Sequence, residues 1–162
     1  MESVEYEYVT ETLPIVSEVS LRYKSKVDQS QRKKVLCSLD VANIVRSFGE
    51  MQENIGFREL FYAVMLNKSN TVLAAVKIAE GGMNSVQVDV RMIMQAALLT
   101  AASAFAIVHN HPSGSISPSR EDIRMTNRLK EIGDLLDIQL IDSIIITEDP
   151  ARTYSFSDEG RL

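Results

Sequence analysis

Cysteine is nearly missing from this chain: Cys37 is the only one among 162 residues. A single thiol excludes an intramolecular disulfide and a cysteine-rich metal site, and in Val35-Leu36-Cys37 it reads as a small core residue. No apolar run approaches the ~18–20 residues of a membrane span. The first residues, Met1-Glu2-Ser3-Val4-Glu5, are acidic and contain no hydrophobic segment, so no secretory leader is expected and the cytoplasm is the expected compartment. Internal repeats and low-complexity tracts are also absent. The length and a hydrophobic fraction of 45% suit one soluble domain with a real core.

Positive charge is in short supply as well. The net charge is −5 and the pI is about 5.1. Non-specific DNA binding rests on Lys and Arg neutralising phosphates, so tight direct binding to nucleic acid is not expected. The one basic cluster, Arg22, Lys24, Lys26, Arg32, Lys33 and Lys34, is interrupted by polar residues. It reads as a solvated linker, with a nucleic-acid or partner patch as the alternative.

Residues 1–34 form an N-terminal extension. Val4, Tyr6 and Tyr8 alternate with Glu, and Ile15, Val19, Leu21 and Tyr23 lie in a second alternating stretch, so two strands are predicted there, followed by a polar connector over 25–34. From residue 38 the chain reads as a second region. Ser38 or Asp40 caps a short helix carrying Val41, Ile44, Val45 and Phe48. A strand over 59–66, a turn over 67–70 and a partner strand over 71–79 make a hairpin. Val86 and Val88 suggest a short strand. Asp89 then caps a helix with Val90, Ile93, Met94, Ala97, Leu98 and Ala101 on one face. A buried strand over 104–109, a helix over 119–136 with Ile123, Leu129, Ile132, Leu135 and Leu136 inward, and a strand over 138–147 follow. The tail over 154–160 supplies a final edge strand. The architecture expected is α/β in the α+β sense: a mixed, mainly antiparallel sheet flanked by helices.

Histidine is nearly as scarce as cysteine, and both copies fall in His109-Asn110-His111-Pro112-Ser113-Gly114, after the apolar run Ala104 to Val108. Side chains at i and i+2 of a strand share a face, so both imidazoles project together if the strand persists through His111. Ser119-Arg120-Glu121-Asp122 then opens a helix and brings a carboxylate. Two histidines and one carboxylate leave a fourth tetrahedral position open, the layout of a catalytic zinc site. The bland alternative is a polar strand end plus a helix cap, Ser119 with Asp122. The two readings are compatible for Asp122.

Hydrolysis at such a site also needs a general base that is not a metal ligand. Glu59, Glu80 and Glu121 are the candidates. Glu121 points about 100° away from Asp122 on a helix. Glu80 sits beside glycines in an expected loop, and Glu59 opens a rigid strand. Ser119 has two roles open to it, capping the helix or donating to an oxyanion.

His109-x-His111-Pro112 with Ser119-x-x-Asp122 resembles the JAMM motif of JAB/MPN metalloproteases, and the fuller string through Gly114 and Pro118 resembles the RadC branch of that superfamily. Glu59-Leu60-Phe61, Gly81-Gly82, Asp89-x-Arg91, Thr126 and Ser155-Phe156-Ser157-Asp158-Glu159-Gly160 extend the resemblance over about 38–162. The resemblance implies a JAB/MPN, cytidine-deaminase-like fold in a bacterial cytoplasmic protein. It implies one Zn2+ per chain on His109, His111 and Asp122, with Ser119 on the oxyanion side and Glu59 as general base. It implies a metallopeptidase or isopeptidase acting on a peptide or protein. The alternatives are a DNA-repair-associated accessory protein and a catalytically silent MPN scaffold. No helix-hairpin-helix module is visible. The chain departs from the RadC pattern at Asp142-Ser143, where relatives usually carry Asp-His, and at Val90, where many carry proline.

Overall fold

The structure is a computed structural model and describes residues 27–81 and 88–162. The strands expected over 4–8 and 15–23, and Val86, lie outside those residues. Among the described residues a short 3-10 helix (Gln29–Gln31) is followed by four α-helices and five strands in the order α1 (Ser38–Arg46), α2 (Gly49–Asn54), β1 (Leu60–Leu66), β2 (Val72–Glu80), α3 (Val90–Leu99), β3 (Ala104–Asn110), α4 (Arg120–Leu135), β4 (Gln139–Ile146) and β5 (Thr153–Ser155). They build one sheet ordered β2-β1-β3-β4-β5, antiparallel except where β3 pairs with β4. The expected mixed, mainly antiparallel sheet with flanking helices is therefore present. None of the described helices is long and apolar enough to cross a membrane.

The period-2 alternation of the strands divides the core into two layers. Leu60, Tyr62, Val64 and Leu66 of β1 pack with Ala106, Val108 and Ile144 under α1 and α2. Phe61, Ala63 and Met65 pack with Phe105, Ile107, Leu140 and Leu129 under α3 and α4. Odd-numbered side chains of β1 and β3 thus face α3 and α4, and even-numbered ones face α1 and α2. This parity carries both histidines toward α4.

Several local expectations need correction. Cys37 is exposed and occupies the N-cap of α1, not the core. Ser38 is the first helical residue, and Asp40 reaches back to accept from the backbone N–H groups of Leu36 and Cys37 at 2.7 and 3.2 Å. Phe48 lies beyond α1, at the N-cap of α2. Val88 is not in a strand. On α3, Asp89 does cap by accepting from the Arg91 N–H, but Leu98 is exposed and Ala101 lies past the helix end with φ of 50°. On α4 the buried positions are Thr126, Leu129 and Gly133. Leu135 stands two residues past Gly133, about 200° round the helix, and is 83% exposed; Leu136 is exposed as well. The tail pairs only over Thr153–Ser155 before turning. The connector is not all solvated either. Val35 donates to the Asn70 carbonyl at 2.8 Å and Val72 to the Lys33 carbonyl at 2.9 Å, so residues 33–35 extend the β2 edge.

The end of α4 shows why a glycine stands in a helix interior. Ile138 donates to the Gly133 carbonyl at 2.9 Å while Asp137 takes φ of 57°, folding the chain back into β4. A Cβ on Gly133 would lie 2.4 Å from the Ile138 carbonyl oxygen and 3.3 Å from the Phe105 ring. Backbone cannot yield as a side chain does. Gly133→Ala should therefore lower stability by about 2–3 kcal/mol despite alanine's better helix propensity. Urea unfolding measures it, and a variant within about 0.5 kcal/mol of wild type would show that α4 can slide.

Asp142 is buried and takes three hydrogen bonds: from the Ser143 N–H at 2.7 Å, the Ser157 N–H at 3.1 Å and the Ser155 hydroxyl at 2.7 Å. Burial pushes its carboxyl above the ordinary range in spite of these donors. Its place is to tie the closing turn to β4. The neighbouring Ser143 accepts from the buried Thr126 hydroxyl at 2.9 Å, joining β4 to α4.

Candidate metal centre

His109 sits near the carboxyl end of β3, and His111 follows one residue beyond the strand. The ladder nevertheless continues, because the His111 N–H donates to the Ile146 carbonyl at 3.0 Å. The strand geometry persists and both rings share the α4 face. Their Nε2 atoms lie 3.1 Å apart. The crossover from β3 to β4 then delivers the first turn of α4 above them. The Asp122 Oδ1 lies 3.1 Å from His109 Nε2, and Oδ2 lies 3.6 Å from His111 Nε2.

Asp122 is held there by the helix start. Ser119 is the N-cap; its Oγ accepts from the Asp122 N–H at 3.1 Å, and the Ser119 N–H donates to Asp122 Oδ2 at 2.7 Å. This is a reciprocal capping box with aspartate in place of the usual glutamate. The cap and the convergence on the histidines are thus one arrangement. Burial alone would raise the Asp122 carboxyl, but hydrogen bonds with His109 and His111 outweigh it and hold the group well below the usual carboxylate range. The same carboxylate raises His111, against the opposing effect of burial.

Glu59 comes from the other side of the sheet's end. It immediately precedes β1, where Phe61 pairs with His109. Continuing that antiparallel register by two residues sets Glu59 opposite His111. A carboxylate oxygen of Glu59 and one ring nitrogen of each histidine lie within 4.8 Å of one another. Burial raises the Glu59 carboxyl; His109 and His111 pull it down, and Asp122 pushes it up. Four side chains therefore converge, in two overlapping trios that share the histidines.

The donor set fits a divalent cation. Ring nitrogens of two neutral imidazoles 3.1 Å apart set lone pair against lone pair unless a proton or metal lies between. Donors about 2.0–2.1 Å from a tetrahedral zinc are about 3.3–3.4 Å from each other, close to the spacings of 3.1, 3.1 and 3.6 Å here. His111 Nδ1 lies 2.8 Å from the Ser115 carbonyl, an acceptor, which leaves the Nε2 lone pair available to a cation. His109 is 2% exposed and stacks on Phe61, and its Nδ1 has no hydrogen-bond partner among the described residues.

The remaining sequence candidates fall elsewhere. Glu80 ends β2 in an exposed ion-pair cluster with Arg58 and Lys77, which hold its carboxyl low. Glu121 is exposed, facing Arg124 at 3.9 Å. Two participants are not legible in the sequence. The Ser115 carbonyl is a backbone group whose use depends on the loop path. Asn110 is fully buried between the two histidines but on the opposite face, where its side chain bonds to residues 55–60.

Residues 35–161 match the RadC family, described as a RadC-like JAB domain. The chain belongs to the RadC family. It is similar to the UPF0758 protein of Flavobacterium johnsoniae, 36% identical over 129 residues, covering 79% of this chain and 53% of that protein. It is 40% identical over 133 residues to a UPF0758 protein of Staphylococcus haemolyticus, covering 82% of this chain and 56% of that one. With a UPF0758 protein of Geotalea uraniireducens it shares 42% over 105 residues, 65% of this chain and 45% of the relative. The chain spans about half the length of the curated relatives it matches. The matched region contains the whole converging cluster of this RadC-like JAB domain, from Glu59 to Asp122.

Proposed function

We propose that this RadC-like domain is a metal-dependent hydrolase of amide bonds, a peptidase or isopeptidase acting on a peptide or protein. The observation that carries the reading is the meeting of two histidine Nε2 atoms 3.1 Å apart with the Asp122 carboxylate and Glu59 at the open end of β3. His109, His111 and Asp122 would hold one zinc ion, leaving Glu59 free. A bound zinc supplies Lewis acidity that polarises a carbonyl and acidifies water. Glu59, raised by burial, takes the proton of the attacking water and returns it to the leaving amine. Ser119 has room for both roles: its oxygen accepts from Asp122 N–H while its own proton stays available to a carbonyl oxygen gaining charge.

A groove of about 410 Å³ begins at Pro112, the residue after His111, with Ser113 and Gly114 on the same wall and Thr147, Glu148, Asp149 and Arg152 on the other. It is the seat this reading gives to the substrate chain. The test is the metal content of the purified protein, followed by a peptide-library cleavage assay with the zinc-loaded form. One equivalent of zinc and cleavage abolished by chelation support the hydrolase. Zinc without cleavage of any library member would favour a silent scaffold.

Direct duplex binding is not part of this function. With a net charge of −5, affinity for a mixed-sequence duplex at physiological salt should be weaker than about 10 μM, in the non-specific range. Fluorescence anisotropy across a salt series measures it. Sub-micromolar binding with a steep salt slope would instead place the domain at nucleic acid.

A further inference from the structure

We infer that Asn110 is a positioning residue that locks Glu59 against the two histidines, and this rests on the reading of Glu59 as the base. Asn110 stands between His109 and His111, but strand parity turns it to the α1/α2 side, where it is fully buried and cannot reach the cation. Its amide is used completely. Oδ1 accepts from the Leu60 N–H at 2.7 Å, and Nδ2 donates to the carbonyls of Ile55 and Arg58, each at 2.8 Å.

Those three partners bracket Glu59. Ile55 is the C-cap of α2, so its carbonyl belongs to the helix end that has no partner within the helix. Leu60 is the first residue of β1. The segment between them carries Glu59 and has one further backbone tie to the sheet, the Gly81 N–H to the Glu59 carbonyl at 2.8 Å. One side chain thus joins the tip of the histidine strand to the end of α2 and the start of β1. The Glu59 carboxylate and the histidine rings hang from one face of this bonded junction, and the Asn110 side chain holds it from the other.

The chemistry requires asparagine. Only a carboxamide offers two donors and an acceptor in one plane. Aspartate at this position would set a second acceptor against two carbonyls, and alanine would leave the buried Leu60 N–H unpaired, at about 1–3 kcal/mol, and take the partner from the half-buried carbonyls of Ile55 and Arg58. Asn110 therefore acts on the reaction through Glu59, without touching substrate.

The test compares the wild type with Asn110→Ala and Asn110→Asp. In the wild type, NMR should find the Asn110 side-chain amide protons exchanging about 100-fold more slowly than exposed asparagine amides. In Asn110→Ala, exchange of the Leu60 amide should rise about 10-fold or more, and the side-chain carboxyl carbon of Glu59 should shift toward the position of an exposed glutamate. Affinity for Zn2+ alone should stay within about threefold of wild type, because Asn110 bonds to neither histidine ring and so is not an outer-shell partner of a ligand. Fast exchange of the Asn110 amide in the wild type overturns the inference, and this measurement stands even if both variants fail to fold. An unmoved Glu59 signal in a folded Asn110→Ala overturns it too, as does a loss of Zn2+ affinity matching that of His109→Ala. Absence of Zn2+ binding by the wild type would overturn the hydrolase reading alone, leaving the NMR result to decide the role of Asn110.

Discussion

Purified His109→Ala should contain less than about a tenth of an equivalent of zinc under conditions that load the wild type with one, with affinity reduced by at least about 10³-fold. Changes one shell further out already cost about 10–100-fold, and this substitution removes a direct donor. The Asp122 variants carry more information, because the histidines belong to two overlapping trios. If Asp122 is the third ligand, Asp122→Ala should lose metal as His109→Ala does. It should also weaken the start of α4, since its carboxylate accepts from the Ser119 N–H. Asp122→Asn keeps an oxygen for that cap and separates the two effects: a near-normal unfolding midpoint with lost zinc. If zinc survives in Asp122→Asn but disappears in Glu59→Gln, the ligand trio is Glu59, His109 and His111, and the base must be found elsewhere.

Glu59→Gln is the second large effect. The amide is isosteric and cannot accept a proton at neutral pH, so hydrolysis of any substrate found by library screening should fall by about 10²–10⁴-fold while zinc content and fold are kept. The loss should appear in kcat more than in KM, since Glu59 acts on the water proton and not on substrate binding. Undiminished turnover would remove Glu59 from the mechanism. Glu80 is a poor substitute, being held by Arg58 and Lys77.

Most of this arrangement was open to reading in the chain because it obeys short-range periodicities. The i, i+2 spacing of His109 and His111 fixes a common face once Ala104 to Val108 is recognised as a strand. Ser119 and Asp122 carry a helix-start signature, and the cap geometry is what aims the carboxylate. Glu59 is different. Its approach to the histidines depends on β1 pairing with β3 in a register set by packing over about fifty residues of chain. The residue pattern offered it as one acid among three, and only the resemblance to RadC chains singled it out as the base. Asn110 was silent because a carboxamide carries no hint of which backbone groups it will satisfy. Cys37 was misread for a related reason: an apolar neighbourhood suggests burial, but a helix N-cap turns its side chain to the surface. Leu135 and Leu136 were misplaced because the buried stripe of α4 runs through Leu129 and Gly133, and Leu135 stands about 200° round the helix from Gly133.

The position of β3 in the sheet order has a dynamic consequence. It is the third of five strands, paired on both sides along its length. Amides at the centre of a sheet become accessible only when the whole domain opens, whereas those of edge strands and loops open at far lower cost. His109 is therefore mounted on an interior strand, and His111 at its end is still tied to β4 through the Ile146 carbonyl. The facing loop, by contrast, is steadied by local contacts such as the Ser117 N–H to the Ser115 Oγ at 3.2 Å. Motions that admit and release a chain can then involve Pro112 to Gly114 on the groove wall, while the Ser115 carbonyl keeps its hold on the His111 ring.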